Sequence, residues 1–497
     1  MDLNTILIAV AAIIVTYVVF FRKSSKGKNL PPGPYPLPIV GNMLQLGTKP
    51  HQSLAKLAKI HGPLMGLHFG SVYTVIVTSP EMAKEIFVKN DQVFINRSVV
   101  EAVHATDHNK ISVAFMDVGN EWRTLRRICK EKIFSVQSLE ASQVLRQEKL
   151  QKLREYVEKC SDNGRAVDIR EASFVTTLNL MAATLFSIHA ADFDSTETQV
   201  FGEIMEGVAS IVGDPNLADY FPILKPFDLQ GVKKKAEKYF GKMLVIVGDL
   251  LKKRQDERRS NPKYVMKKDL LESLVDVLDQ SSEYQLTTEH ITHLLLDLFV
   301  GGAETTTTSV EWIMSELLVN ADKLAILKKE LKSVIGDRTM VESDIPKLPY
   351  FEAVLKEVFR LHPPGPLLLP RKAGQDVKVG GYDIPKGTQI LVNAWAMGRD
   401  PAIWKNPEAF EPERFLGEKK IDYKGQDFEL IPFGAGRRIC PGLSFENRML
   451  PMMTATLIHN LDWKLEIGAE EGDVHRGERF GIAVRRSTPL KAFPIKK

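Results

Sequence analysis

Hydrophobic and polar positions divide the chain into an apolar start, a proline-broken collar and a long body of changing periodicity. Residues 3–21 carry no charge and are dominated by Ile, Val, Ala and Phe. As a helix rising 1.5 Å per residue they would span roughly 28 Å, close to the hydrocarbon thickness of a bilayer. Asp2 precedes the run, whereas Arg22, Lys23, Lys26 and Lys28 follow it. That order is the reverse of a cleaved secretory signal, and the positive-inside rule places the following chain in the cytosol. The expectation is a membrane anchor over residues 1–22. Residues 23–44 form a basic hinge containing Leu30-Pro-Pro-Gly-Pro34, Pro36 and Pro38. Proline fixes φ and drives the preceding residue to extended backbone, so this is a stiff spacer. A single body over residues 45–497 completes the expected organisation.

In that body a short amphipathic helix from His51 precedes two β-patterned segments, 64–69 and 72–77. Residues 96–114 are polar, contain histidine and have no clear period. A helical stretch begins at Trp122, and residues 140–278 read as amphipathic helices. Residues 220–227, apolar and broken by proline, interrupt them as either a buried connection or a dip into a membrane surface. Residues 287–318 read as one long helix that contains the pair Gly301-Gly302. Each glycine there costs roughly 1 kcal/mol relative to alanine, so the pair needs a reason. Close approach of a flat ligand is one, and a tight helix crossing is another. Near the C-terminus, Phe433-Gly-Ala-Gly436-Arg-Arg438-Ile-Cys440-Pro441-Gly442 packs three glycines and a proline into ten residues. It reads as a tightly turned loop that opens into a helix. The fold class is mainly α with small β-sheets.

Composition narrows the picture. With 44% hydrophobic and 26% charged residues over 497 positions, the chain is a folded globular protein and not a disordered one. A net charge of +4 is too small to argue for nucleic acid. Cys129, Cys160 and Cys440 are too few and too scattered for a disulfide scaffold, which fits a reducing compartment. No Cys/His cluster suggests zinc.

Candidate chemistry gathers at a few positions. Cys440 sits in the tight loop at a helix entrance, where free amides and the positive end of the macrodipole favour a thiolate suited to a metal. The alternative is a buried structural cysteine. Arg438 adds a cation two residues away. Trp122 and Arg126 share one helix face and offer an indole N–H and a guanidinium to a carboxylate, or are part of a solvated basic helix. Glu304 and Thr305 set an acid beside a hydroxyl within the long helix. Glu357 and Arg360 are three apart, and Arg414 lies in a Pro-Glu-Arg-Phe run.

The pattern Phe-x-x-Gly-x-Arg-x-Cys-x-Gly arises by chance about once in several thousand chains of this length. It resembles the haem-binding loop of the cytochrome P450 family. The other motifs occur in that family's order from the hinge to the C-terminus. The resemblance implies the cytochrome P450 fold with haem b ligated by Cys440, whose loop includes Phe433. It implies that Trp122, Arg126, Arg371 and Arg438 hold the haem propionates and that Glu304 and Thr305 deliver protons. It makes Glu357, Arg360 and Arg414 a structural lock. Residues 99–115, 294–303, 364–369 and 480–484, including Asp297, Phe299, Ala303, Leu367 and Ile482, would line the substrate cavity. Asp297, the main charge among them, either orients a substrate hydroxyl or is paired elsewhere.

Finer features resemble plant membrane-bound members of the geraniol hydroxylase and ferruginol synthase subfamily, in particular mint-family abietane oxidases. The implied reaction is insertion of one oxygen of O2 into a C–H bond of an apolar terpenoid. An abietane diterpene is the expected substrate and a geraniol-type alcohol the alternative. The chain has no dinucleotide fingerprint or flavin domain, so NADPH electrons would come from a separate cytochrome P450 reductase. The setting would be the endoplasmic reticulum membrane, spanned once, with the catalytic body in the cytosol. A peroxide-rearranging haem-thiolate enzyme and a non-catalytic haem- or lipid-binding membrane protein are the rival readings.

Overall fold

Segments with a helical apolar period become helices around one central rod. The computed structural model describes residues 28–193, 196–267, 269–279, 286–466 and 477–496. The rod is the helix Thr288–Val319, one residue displaced from the expected bounds. Its start is fixed by Thr287, whose side chain accepts from the His290 amide while the His290 ring accepts from the Thr287 amide. Residues 306–317 of this helix are buried on every side, as expected for a rod at the centre of a large core. Ile169–Phe186, itself buried almost throughout, packs along it, and Val232–Ser260 and Leu443–Ile458 close other sides.

The β-structure is small and placed at the edges. A five-stranded sheet runs in the order Leu64–Phe69, Val72–Val77, Gln389–Val392, Arg371–Lys372, Asn96–Arg97. Only the contact between Val72–Val77 and Gln389–Val392 is parallel. The last contact sets Arg97 directly opposite Arg371. Like charges directly opposite one another destabilise a strand pair, so this register needs a compensating partner. A three-stranded sheet of Val167–Asp168, Lys491–Lys496 and Leu461–Leu465 and two short hairpins complete the β-content. The architecture is the expected one, mainly helical with small sheets.

The described part of the collar is docked along the body. The Gly66 amide donates to the Pro32 carbonyl at 2.9 Å, and a Cβ at Gly33 would overlap the Gly66 carbonyl. Asn42 donates to the His68 carbonyl at 2.6 Å, and the Asn29 amide donates to Asp383 at 2.8 Å. Residues 28–44 therefore belong mechanically to the sheet edge, which proline's fixed φ makes inexpensive to order. The expected anchor lies within residues 1–27, outside the described residues. Among the described residues no helix is long and apolar enough to cross a membrane.

Glu357, Arg360 and Arg414 come together as a buried cluster. Arg360 donates through Nε and Nη2 to the two Glu357 oxygens at 2.7 and 2.8 Å, and Arg414 donates to Oε1 at 3.0 Å. The remaining Arg360 donors reach the carbonyls of Gly398, Pro407 and Ala409. Glu357 and Arg360 are completely buried. In isolation an i, i+3 pair is weak. Here every lone pair and donor is used, and removing one partner would strand a buried charge at a cost of about 3–5 kcal/mol. The cluster holds residues 398–414 against the helix Pro349–Leu361, ahead of the cysteine loop.

Candidate active site

The Cys440 loop takes its shape from backbone that only glycine adopts easily. Gly434 and Gly436 have φ of +72° and +70°, and a Cβ at Gly436 would lie 2.7 Å from the Phe87 carbonyl oxygen. The Cys440 amide donates back to the Phe433 carbonyl at 3.0 Å, closing the turn. The Phe433 ring meets Phe359 and Tyr423 edge-on or tilted, with centroids 5.1 and 5.7 Å away, and braces the loop on the core. Cys440 is exposed along one side yet enclosed by protein on the others, so it lies on the floor of a hollow. That enclosure pushes its thiol up to about 11, and the amides of Gly442 and Leu443 offset it only in part. The amides act in the expected direction, toward the thiolate, and the charge of a bound metal would act in the same sense.

Four guanidinium groups converge beside this loop. Arg126 donates to the Ile439 carbonyl at 2.8 Å, and Arg371 to the carbonyls of Phe94 and Ala435 at 3.3 and 3.2 Å. Arg438 donates to Ala114 and Met116 and lies over the Trp122 ring, 4.8 Å from its centroid. Arg97 donates to the same Ala114 carbonyl at 3.1 Å and to Leu369 at 2.9 Å. Among the described residues none of the four is in an ion pair, and the Arg438 Nε is buried without an acceptor. Burial lowers Arg371 and Arg438 to about 10, and for Arg438 the charge of Arg371 adds to it. Burial lowers Arg97 furthest, with Arg371, Arg438 and Arg126 adding repulsion. Trp122 points its indole N–H at the Val113 carbonyl, 3.1 Å away, and so braces the ring of cations. Arg97 was not singled out in the sequence. It lies in a two-residue strand without a motif, and only the register opposite Arg371 marks it.

On the long helix the Thr305 hydroxyl donates to the Gly301 carbonyl at 2.7 Å and faces open space. Gly301 is exposed although Phe299 and Ala303, two residues away on each side, are buried, and a Cβ there would meet nothing within 4 Å. This flank of a buried rod therefore opens on a hollow. Glu304 turns to the neighbouring helix, where Arg170 holds it at 2.7 Å. Thr306 donates to Glu446 at 2.6 Å and ties the rod to the helix that follows the cysteine loop. Glu446 is buried and has no cation on it, so burial pushes its carboxyl up to about 7. Arg170 and Glu446 carried no sequence signal, because each acts across a helix contact distant in the chain.

Of the four expected lining segments, 294–303 is part of the rod, 480–484 is bonded to it, and 364–369 is joined through Val484. The Trp312 indole donates to the Val484 carbonyl at 3.0 Å, and the Val484 amide to the Pro364 carbonyl at 2.8 Å. A Cβ at Gly213 would overlap the Ile482 amide, so the turn at Ile482 also abuts the helix Thr196–Gly213. Leu367 is half-buried, Ala303 is fully buried, and Phe299 packs near Phe186 with centroids 6.3 Å apart. Asp297 accepts from Ser112 and pairs with His108, so it is a paired residue.

The donor set fits haem. A buried ring of unpaired cations suits a ligand with two carboxylates, the enclosed sulfur suits iron, and the side-chain-free flank at Gly301 admits a flat macrocycle. Residues 31–490 match the cytochrome P450 family, and the chain belongs to it. It is a haem-dependent cytochrome P450 monooxygenase. A zebrafish cytochrome P450 solved with progesterone superimposes with a TM-score of 0.76 at 25% identity, covering 90% of this chain and 99% of that one. More particularly, the chain is 62% identical to a ferruginol synthase of Isodon rubescens over 98% of both sequences. It is 60% identical to a sugiol synthase of Salvia miltiorrhiza over 98% of each, and 47% identical to a carnosic acid synthase of Rosmarinus officinalis over 96% and 94%.

Glu446 gives a pH signature. Its proton is held in the folded chain to about pH 7, against 4.5 when unfolded. The folded state thus binds more protons in that window, and the group's contribution to stability is complete below the unfolded value and lost as pH rises through about 7. Glu446→Gln, neutral at all pH, should remove that slope, changing the pH 5 to pH 8 difference in stability by up to about 3 kcal/mol. Urea midpoints of wild type and variant at both pH values measure it. Parallel slopes would show that the carboxyl is not neutral.

Proposed function

We propose that this monooxygenase hydroxylates an abietane-type diterpene at the membrane surface. The observation that carries the reading is identity of 60–62% over 98% of the chain with ferruginol and sugiol synthases. The lining supports it. Ala303, Leu367, Phe299 and Ile482 are apolar, and Asp297 is satisfied within the protein. Each Å² of apolar ligand surface buried there contributes roughly 25 cal/mol, whereas an unpaired charge costs several kcal/mol. That difference excludes sugars and charged metabolites and favours a fused-ring hydrocarbon.

Haem b, ligated through Cys440, supplies the activation of O2 that converts R–H, O2, NADPH and H+ into R–OH, water and NADP+. The chain's own residues hold that group and manage protons. The Arg97, Arg126, Arg371 and Arg438 cluster takes up the propionates. Thr305 spends its own proton on the Gly301 carbonyl, so its oxygen is free to accept a hydrogen bond from a protonated group in the hollow. Glu304 is the adjoining acid, and proton delivery through it requires its Arg170 ion pair to open. Thr305→Ala should leave substrate binding and reduction intact and divert NADPH electrons to hydrogen peroxide. Unchanged product per NADPH with no rise in peroxide would remove the hydroxyl from proton delivery.

The electron donor is proposed to be NADPH–cytochrome P450 reductase, since the sequence has no dinucleotide fingerprint. The membrane is proposed to be the endoplasmic reticulum, with residues 1–22 as anchor and the body cytosolic. A second contact supports this placement. Ile223, Phe227 and Leu229 are 80%, 68% and 64% exposed on a loop that Tyr220 ties to Ser71. The collar beside that sheet edge exposes Leu37, Ile39 and Leu44. Patches of this kind mark interaction surfaces. A chain lacking residues 2–22 should keep its haem and still float with phospholipid vesicles, and Ile223→Asp with Phe227→Asp should release it. Complete release by the truncation alone would take the loop off the membrane.

The substrate test is a low-to-high-spin titration of the full-length enzyme with an abietane olefin against geraniol. The olefin should bind and turn over, with geraniol at least tenfold weaker. Tight binding and turnover of geraniol alone would overturn the diterpene assignment.

A further inference from the structure

The sequence contains no motif at His108, Ser112 or His293, yet these residues meet Asp297 in a closed network between the long helix and residues 105–116. The Asp297 carboxylate can only accept, so the His108 Nε2, 3.0 Å away, carries a proton toward it. The Ser112 hydroxyl donates to the same carboxylate, within 2.7–2.8 Å of both oxygens. His108 Nδ1 lies 2.7 Å from His293 Nδ1, so one proton joins the two rings and both cannot be doubly protonated at once. His108 is 2% and His293 3% exposed. The rings stack at 5.0 Å, and Phe240 covers the His108 ring at 5.2 Å.

The same short stretch faces the cations from its other side. The Ala114 amide donates to Ser112 Oγ and to Asp297, and the Phe115 amide donates to Ser112 Oγ. The carbonyls of residues 113, 114 and 116 accept from Trp122, from Arg97 and Arg438 together, and from Arg438. Amides therefore point to the rod and carbonyls to the arginine ring. Residues 105–116 have no sheet partner or long helix of their own, and two of them, Thr106 and Asp107, take positive φ. Local order in the segment is limited to short helical turns, His108–Ile111 among them, and the turns closed on Ser112.

We propose that Asp297, through Ser112 and the His108–His293 pair, is the positioning residue that sets residues 112–116 on the long helix and thereby fixes both the roof of the substrate cavity and the carbonyl cradle of Arg97 and Arg438. The chain of donors has a direction. The carboxylate holds His108 with its proton on Nε2, which leaves Nδ1 as acceptor, and His293 then donates from Nδ1. Burial lowers His293 to about 4, which keeps it neutral and available for that role.

Direction distinguishes the network from mere packing. His293→Leu fills the space and lacks the donor, whereas His293→Gln supplies an N–H. With His293→Leu, amide hydrogen exchange at residues 114–116 of the haem-loaded enzyme should accelerate at least tenfold, and haem transfer to apomyoglobin should quicken about fivefold. KM for the abietane olefin should rise five- to tenfold with kcat within twofold. His293→Gln should return all three to within twofold of wild type. The Michaelis constant rests on the substrate reading above, whereas exchange and haem transfer do not, so the two proposals fail separately. Ser112→Ala, which removes one buried hydroxyl from the network, should accelerate the same amides if the histidine variants do not accumulate. Equal behaviour of His293→Leu and His293→Gln, or unchanged exchange in Ser112→Ala, would overturn the proposal.

Discussion

Four guanidinium groups, three buried and Arg126 half-buried, that have no anionic partner among the described residues are the constraint on which this structure turns. Charge burial of this kind is tolerated only when a partner repays it, and carbonyl dipoles repay part. Arg97 and Arg371 face each other across a strand pair, Arg438 lies over Trp122, and Arg126 reaches the Ile439 carbonyl beside Cys440. Each comes from a different stretch of the chain, so the sheet, the rod and the cysteine loop must all be in place before the cluster exists. A dianionic macrocycle held there, as proposed, would relieve the repulsion and join those elements.

The contrast with Glu357, Arg360 and Arg414 is instructive. That cluster holds the same kind of charge at the same depth, but its donors and lone pairs are satisfied internally. It behaves as scaffold. The arginine ring behaves as a site because it is incomplete. Arg170 with Glu304 lies between these cases, closed in this state but within reach of the hollow.

Substrate choice depends on finer features. The zebrafish enzyme solved with progesterone shares the architecture at 25% identity, while relatives at 47–62% identity carry names for three different abietane products. In the proposed cavity, a roof held by hydrogen bonds to one carboxylate would be movable by a single substitution without disturbing the core.

The sequence alone determined the elements and the ligand. Periodicity located the long rod to within one residue, glycines at positive φ and one cysteine defined the loop, and an apolar run with basic residues after it stated the expectation of an anchor. These features are local, so a few neighbouring residues carry them. Tertiary structure decided everything that depends on residues distant in the chain. It brought Arg97 opposite Arg371, set Glu446 beneath Thr306, gave Glu304 to Arg170 and turned Asp297 toward Ser112 and His108. Charge and hydrogen-bonding capacity are written in the sequence, but which groups are left unsatisfied, and therefore where the protein binds and reacts, is set only when the chain has closed around them.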